Sequence, residues 1–368
     1  MHDALIAALV VSWALTVFTL FNLSGFIEPT QITEGTLLHS SVDILIPARN
    51  EEVTISQAVT SALGQTSLAS CAVRVLNDQS TDRTLEKLVE FGDAITIVNT
   101  QDELPSGWLG KNWACHRLAQ QSSAEYLVFI DSDVTLEPHA VASAITTMNN
   151  SDLEFISPYP RQIANTWLTR LVQPLLQWSF LTTVPLKKAR TSMRPSFAVA
   201  NGQFIVCRRD AYLEAGGHEG IKDCILDDIE LLRSFLRHGF HGTVANGTTL
   251  ATCEMYDSNR ALVDGYSKSL WKAFGGPVGS IAVNAFLLFV YSFPLVSLFG
   301  PDRDIAVLAL LCGEYGRWFV ARKTQQRVLP DAFFHSVSIV AFAWLNCVSW
   351  ARHLRKTNTW KGRTVDAP

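Results

Sequence analysis

At 368 residues the chain has room for one large domain or two small ones. Its 48% apolar and 17% charged residues are more apolar and less charged than a soluble domain usually is, which points to a membrane. A formal net charge of −4 without a basic stripe excludes a nucleic-acid binder, and seven cysteines without a C-x-x-C pair exclude a disulfide framework and a zinc site.

The chain starts with an uncharged run, 4-ALIAALVVSWALTVFTLFNL-23, that meets the length of about 20 residues needed to cross a bilayer. It lacks the basic start and clean small-x-small cleavage site of a secretory signal, so residues 1–25 are expected to be a retained anchor. Strand and helix patterns then alternate. The run 42-VDILIPA-48 predicts a strand, 52–63 a helix, 71-CAVRVLN-77 a second strand, and Ser80 or Thr81 suits the N-cap of a helix starting near Arg83. A third strand, 94-AITIVN-99, leads through the loop 102-DELPSGWLGKN-112 to a helix over 113–122 and a fourth strand, 126-YLVFID-131. Such repetition predicts an α/β fold with a doubly wound, mostly parallel sheet, whose ligands sit beyond the carboxyl ends of the strands. That rule gathers Pro47–Glu51, Asn77–Asp82 and Asp131–Asp133. No G-x-G-x-x-G follows the first strand, so a nicotinamide or flavin site is not expected.

The stretch 164–190 repeats Trp and Leu at helical spacing and ends in Lys187, Lys188 and Arg190, which fits a helix in the membrane interface or in the core. A strand, 204-FIVCR-208, and a helix, 229-IELLRSFLRHG-239, follow, with Gly216 and Gly217 expected to end a helix between them. Beyond this alternating region, 278–300 carries no charge, 304–320 holds Glu314 and Arg317, and 332–350 has no Asp, Glu, Lys or Arg, with His335 as its one basic side chain. The basic tail prefers the cytoplasm, which requires an even number of spans after a cytoplasmic domain; the three C-terminal candidates therefore cannot all cross.

Asp131 and Asp133, one residue apart at the end of an apolar strand, raise each other's cost of ionisation, and a divalent cation removes that cost. The bland alternative is a strand cap followed by a turn; the place at the end of the fourth strand favours metal.

Together, PARNEE at 47–52, NDQSTD at 77–82, DSD at 131–133, NGQFIVCRRDAYLEAGG at 201–217 and LDDIEL at 226–231 resemble the membrane-bound inverting glycosyltransferases of family 2, with the GT-A fold, over about residues 40–275. GWLGKNWA at 107–114 is similar to the subgroup that glycosylates lipids: ceramide, hopanoid and carotenoid glycosyltransferases. The resemblance implies a catalytic domain over 40–275, and the apolar runs and basic residues beyond it predict membrane helices over 276–352 and a tail over 353–368. It implies that Asp78 reads the nucleobase, with Pro47, Arg49 and Glu51 lining its pocket; that Asp131 serves the nucleotide and the metal, and Asp133 the metal, Mg2+ or Mn2+; and that Lys111 approaches phosphates or sugar. Asp228, the second acid of the Asp227–Asp228 pair, is the implied general base, and Asn201, Gly202, Gln203, Asp227 and Trp271 complete the implied donor site. The same acids also suit a helix N-terminus.

Where the family's polysaccharide synthases have Q-x-x-R-W, this chain has Ser267, Leu270 and Trp271, which argues for single transfer; Lys268 or Lys272 is the available replacement for the missing Arg. The expected activity is inverting transfer of a hexose, from UDP-glucose, to the hydroxyl of a membrane lipid, carotenoid or hopanoid first. An integral, multi-pass enzyme with its catalytic domain facing the cytoplasm is expected. The alternatives are a polysaccharide synthase, a polyprenyl-phosphate sugar transferase, or a non-catalytic membrane scaffold.

Overall fold

The computed structural model describes residues 1–33, 35–100, 103–357, 359–360 and 363–364. Asp102 of the expected 102–112 loop, and residues 358, 361–362 and 365–368 of the expected basic tail, Lys361 among them, lie outside the described residues.

Helix α1 (His2–Leu23) precedes the alternating region. That region runs β1 (Leu38–Ala48), α2 (Ile55–Leu63), β2 (Leu68–Asp78), α3 (Thr84–Val89), β3 (Thr96–Thr100), α4 (Gly110–Gln120) and β4 (Tyr126–Ile130). Next come β5 (Val134–Leu136), α5 (Ala140–Asn150), β6 (Phe155–Gln162), then α6 (Trp167–Val172), α7 (Pro174–Thr183) and α8 (Leu186–Thr191). The sheet region ends with β7 (Phe204–Arg208), α9 (Arg209–Glu214), α10 (Asp227–Arg237) and β8 (Gly242–Cys253). Eight strands form one sheet in the order β3-β2-β1-β4-β7-β6-β8-β5. The pairs β1–β2, β1–β4, β2–β3 and β6–β8 are parallel, and β7 and β5 run antiparallel to their neighbours.

Both sheet faces are covered, which is why β4 is apolar at every position rather than alternating. Val42, Ile44 and Ile46 pack against Ile55 and Val59 of α2, while Leu45 points to the other face with Ala114 and Leu118 of α4 and Leu232 of α10. The continuous helix expected over 164–190 is broken into three pieces. Pro174 stands at the first position of α7 and Pro185 precedes α8, and a proline inside a helix removes a donor and clashes with the preceding turn.

The C-terminal part holds α11 (Asn259–Ala273), α12 (Pro277–Leu287), which continues through a π turn into α13 (Phe293–Val296), then α14 (Arg303–Lys323) and α15 (His335–Leu354). Among the described residues, three helical stretches are long and apolar enough to cross a membrane: His2–Leu23, Pro277–Phe299 and Asp331–Leu354. α14 is not among them, yet it runs beside α1 in the same direction along the whole of α1. His2 meets Asp302 at 2.8 Å, Ser12 Oγ donates to Ala309 O at 3.2 Å, Thr16 Oγ1 donates to Cys312 O at 2.8 Å, and Glu28 pairs with Lys323. α15 lies on α11, with Ser349 Oγ donating to Ser267 O at 2.7 Å and Arg352 reaching Asp264 at 2.7 Å, and also runs antiparallel to 277–299, with Trp350 Nε1 donating to Ser280 Oγ at 2.9 Å and Ser292 Oγ to Ser336 O at 3.1 Å.

Candidate active site

The turns after β1 and β2 are stitched to each other, which explains why the sequence has short polar residues there. Asn50 and Gln79 adopt left-handed backbone, φ 53° and 52°. The Asn50 N–H donates to Ser80 Oγ at 3.0 Å, and Asn50 Oδ1 accepts from the Thr81 N–H at 2.8 Å. The Glu51 N–H donates to Thr84 Oγ1 at 2.8 Å and that of Glu52 to Asp82 Oδ2 at 3.1 Å. Ser80 and Thr81 therefore do not cap the following helix as expected: they bond to Asn50, and Asp82 Oδ1 accepts from the Thr84 N–H at 3.0 Å instead. This lattice holds the ends of two parallel strands rigidly side by side.

Beyond those strand ends opens a cleft of about 600 Å³, lined by Pro47, Arg49, Glu51, Asp78, Lys111, Asp131, Asp133, Asp227 and Asp228. Thus every charged residue of the implied donor, metal and base set reaches one cavity. Arg49 Nη1 donates to the Asp78 carbonyl at 2.7 Å and stands 3.7 Å from Asp78 Oδ2, so the guanidinium and the nearly buried acid form one polar unit at the β2 end. Lys111, in the first turn of α4, reaches Asp131 at 2.8 Å and Asp227 at 3.5 Å, bridging the end of β4 to the start of α10. Burial alone would favour its neutral form, but the two carboxylates outweigh that and hold its pKa well above the usual lysine value.

Asp133 is half-buried with its Oδ1 inaccessible to solvent, and this burial together with the charges of Asp131 and Glu51 pushes its pKa up. Its Oδ1 has no hydrogen-bond partner among the described residues. A buried carboxylate oxygen without a donor, beside a second carboxylate, fits a hard divalent cation that takes its remaining ligands from substrate oxygens and water. No group of three or more His, Cys, Asp or Glu side chains is arranged to hold a metal among the described residues, so protein groups alone do not complete a coordination sphere.

Asp228 opens α10. Its Oδ2 accepts from the Gly202 N–H at 3.0 Å and its Oδ1 from the Ile229 N–H at 2.8 Å. Despite those bonds, burial and the adjacent Asp227 raise its pKa to about 7, while Lys111 keeps Asp227 below the ordinary carboxylate value against its own burial. The pair is thus split into one permanent anion and one group poised to exchange a proton near neutrality.

Four candidates stand outside the lining. A Cβ on Gly202 would lie 3.1 Å from Lys111 Nζ and 3.5 Å from Asp228 Cβ, so glycine is what lets both groups converge. Asn201 Oδ1 accepts from the Gln203 N–H at 3.0 Å, and the Gln203 carbonyl accepts from the Asp131 N–H at 3.1 Å; both residues brace the site from behind. Trp271 stacks on His353 with ring centroids 3.6 Å apart, and its Nε1 donates to Lys268 O at 3.1 Å, which places it on the helical side of α11. Of the two lysines offered as substitutes for the missing Arg, Lys268 lines the cleft and Lys272 lies over the Trp271 ring.

The sequence reading missed Glu254, Met255 and Tyr256 after β8, and Gly265 and Ser269 of α11, which form the cleft's other wall. A Cβ on Gly265 would come within 2.4 Å of the Tyr256 ring, so a glycine in mid-helix was the signal that another group packs against the α11 backbone.

Residues 43–215 match the family described as glycosyl transferase family 2. A 4,4'-diaponeurosporenoate glycosyltransferase of Staphylococcus haemolyticus is 26% identical over 234 residues, spanning 62% of this chain and 61% of that protein. The protein of the same name from Staphylococcus aureus (strain USA300) is 26% identical over 343 residues, 88% of each chain. Among solved structures, the mannosyltransferase PcManGT from Pyrobaculum calidifontis, in complex with GDP-Man and Mn2+, superposes with a TM-score of 0.57 at 13% identity, covering 96% of this chain and 98% of that one. The fold is that of the GT-A enzymes.

Proposed function

We propose that this glycosyltransferase, whose residues 43–215 form a family 2 domain, transfers a hexose from a nucleoside diphosphate sugar, UDP-glucose in the first instance, to a membrane lipid with inversion. The observation that carries the reading is the single cleft in which Asp78, the Asp131–Asp133 pair and Asp228 converge, with α11 of the membrane-side helices as one wall. The nucleobase lies against Asp78 and Arg49, the diphosphate near Asp131, Asp133 and Lys111, and the sugar between them and Asp228. A Mg2+ or Mn2+ held by Asp133 and Asp131 would neutralise the charge of the leaving diphosphate, as the Mn2+ of the structurally similar PcManGT complex supports. Asp228 takes the proton of the acceptor hydroxyl as that oxygen bonds to the anomeric carbon and the bond to the diphosphate breaks, with the pair of electrons leaving on the diphosphate.

The acceptor enters from the side of α11. There Leu270, at the position of the polysaccharide synthases' Arg, is buried among the helices, which supports one transfer rather than chain growth. The relatives' names support a carotenoid-type acceptor, and because diaponeurosporenoate is by its name a carboxylate, they favour a second reading in which the attacking oxygen belongs to a carboxylate. Lys268 in the cleft wall is the cation to receive it.

For the membrane we read α1, 277–299 and α14 as crossing and α15 as lying along α11, which leaves two spans after a cytoplasmic catalytic domain of about residues 40–275 and keeps the tail on the same side. The end-to-end match of α14 with α1 supports this order.

Membranes containing the chain, given radiolabelled UDP-glucose, should carry label into the organic phase, with loss on chelation of divalent ions. Label confined to a water-soluble polymer would overturn single transfer, and release by mild alkali separates an ester from a glycoside.

A further inference from the structure

We propose that the junction of α6, α14 and the connection 324–334 binds the phosphate of an anionic membrane phospholipid through Arg170, Arg317 and Arg327; the inference rests on the membrane-embedded reading above but not on the catalytic one. Asp331 is the acid at this junction. Arg170 binds it with both ends of its guanidinium, Nε donating to Oδ2 at 3.0 Å and Nη2 to Oδ1, and Arg327 Nε stands 3.9 Å from Oδ1. The turn 331–334 that carries Asp331 packs against α14, where Arg317 is a 2% exposed side chain whose Nη1 has no hydrogen-bond partner among the described residues. Arg170 thus takes both oxygens of the one carboxylate, which leaves Arg317 without a hydrogen-bonded counterion among apolar helices and Arg327 as a second cation at the exposed edge. A buried charge without a counterion is expensive, and an anion in the junction removes that cost.

The neutral groups around it point the same way. Gln173, three residues after Arg170 and so on the same helical side, is 1% exposed, and neither end of its amide has a partner among the described residues. The Tyr266 hydroxyl, in the buried cluster that joins Leu168 and Val172 of α6 to Val320 of α14, is also unpartnered among the described residues. Native proteins rarely leave so many buried donors unused, and guanidinium, amide and hydroxyl N–H and O–H groups are what a phosphate oxygen accepts from. The rim explains why that phosphate belongs to a lipid. Trp167 is 63% exposed, Leu329 59% and Phe333 56%, beside an Arg327 that is 60% exposed at its side chain. Large apolar groups at the surface next to arginines match the boundary between headgroups and acyl chains, and basic pockets between membrane helices hold anionic headgroups.

The test uses the full chain in nanodiscs of phosphatidylcholine, with and without added phosphatidylglycerol, followed by detergent extraction and native mass spectrometry. The wild type should retain phosphatidylglycerol well above its bulk proportion. Arg327→Ala, a change at an exposed side chain, and Arg317→Met, which keeps most of the buried volume, should each reduce that preference about fivefold, the effect of one basic group at a headgroup. Both variants should bind UDP as the wild type does, which shows that they are folded. Retention in the bulk proportion, unchanged preference in folded variants, or displacement of the lipid by inorganic phosphate would each overturn the assignment, the last by making the site one for free phosphate.

Discussion

In the proposed mechanism the chemistry turns on how one residue, Asp228, is kept apart in its protonation from its neighbour Asp227. Replacing it with Asn keeps an acceptor for the Gly202 N–H and removes the base, so transfer should fall by about 10²–10⁴-fold while UDP binding, measured by calorimetry, stays within a factor of a few. In the wild type, the rate should rise with pH through about 7 as Asp228 loses its proton. Stability should run the other way. The folded carboxyl binds its proton more tightly than the unfolded one, whose value is about 3.9, so the folded state holds more protons between those values and loses stability as pH rises across that window. Thermal melts of Asp228→Asn should therefore gain on the wild type from about pH 4 to 7 and level off above; a constant difference would contradict the raised pKa. At Gly202 an added methyl stands 3.1 Å from Lys111 Nζ. Gly202→Ala should cut kcat about 10–100-fold through misplacement of Lys111 and Asp228 with little change in melting temperature. The charged residues of the cleft were readable because buried acids have few structural uses. Gly202 and Gly265 were harder to interpret, since a glycine tells of a close approach but not of the group that approaches.

At the scale of elements, the first four strands and their helices were legible from apolar runs bounded by turn residues, and β1, β2 and β4 run within a few residues of their expected bounds. The strands β6 and β8 were not. Pro158 and Pro160 lie in β6 and cannot donate to a ladder, and β8 is rich in Gly, Asn and Thr; the two nonetheless pair in parallel, with Gly247 letting the Pro158 backbone approach to 2.6 Å of where its Cβ would be. Tertiary pairing overrode weak local preference there. The turn lattice supplies a further prediction. Asn50→Ala removes the acceptor for the Thr81 N–H at a residue with positive φ, and should cost about 1–3 kcal/mol in denaturant melts and weaken UDP binding, because the loops around Asp78 lose their tie. Unchanged affinity would separate that lattice from the nucleotide.

For the whole molecule, composition pointed to a membrane but could not choose among the C-terminal helices, of which hydropathy scores α15 above α14. The proposed topology weighs packing over that ranking for α14, which follows α1 from end to end despite Glu314 and Arg317, while α15 is tied to α11 by Ser349 and Arg352 and to 277–299 by Trp350 and Ser336. A cysteine-free chain with a single Cys at position 356 should react with an impermeant maleimide in inside-out vesicles and be silent in right-side-out cells; the reverse would place three spans after the catalytic domain. The account as a whole stands on one coupling, between a carboxylate base in the cleft and the appearance of a sugar on a lipid. The measurement that tests it most directly is mass spectrometry of lipid extracts from cells expressing either the wild type or Asp228→Asn at equal membrane abundance. A hexosylated lipid present with the wild type and missing with the variant is the predicted result, and the same lipid in both would contradict it.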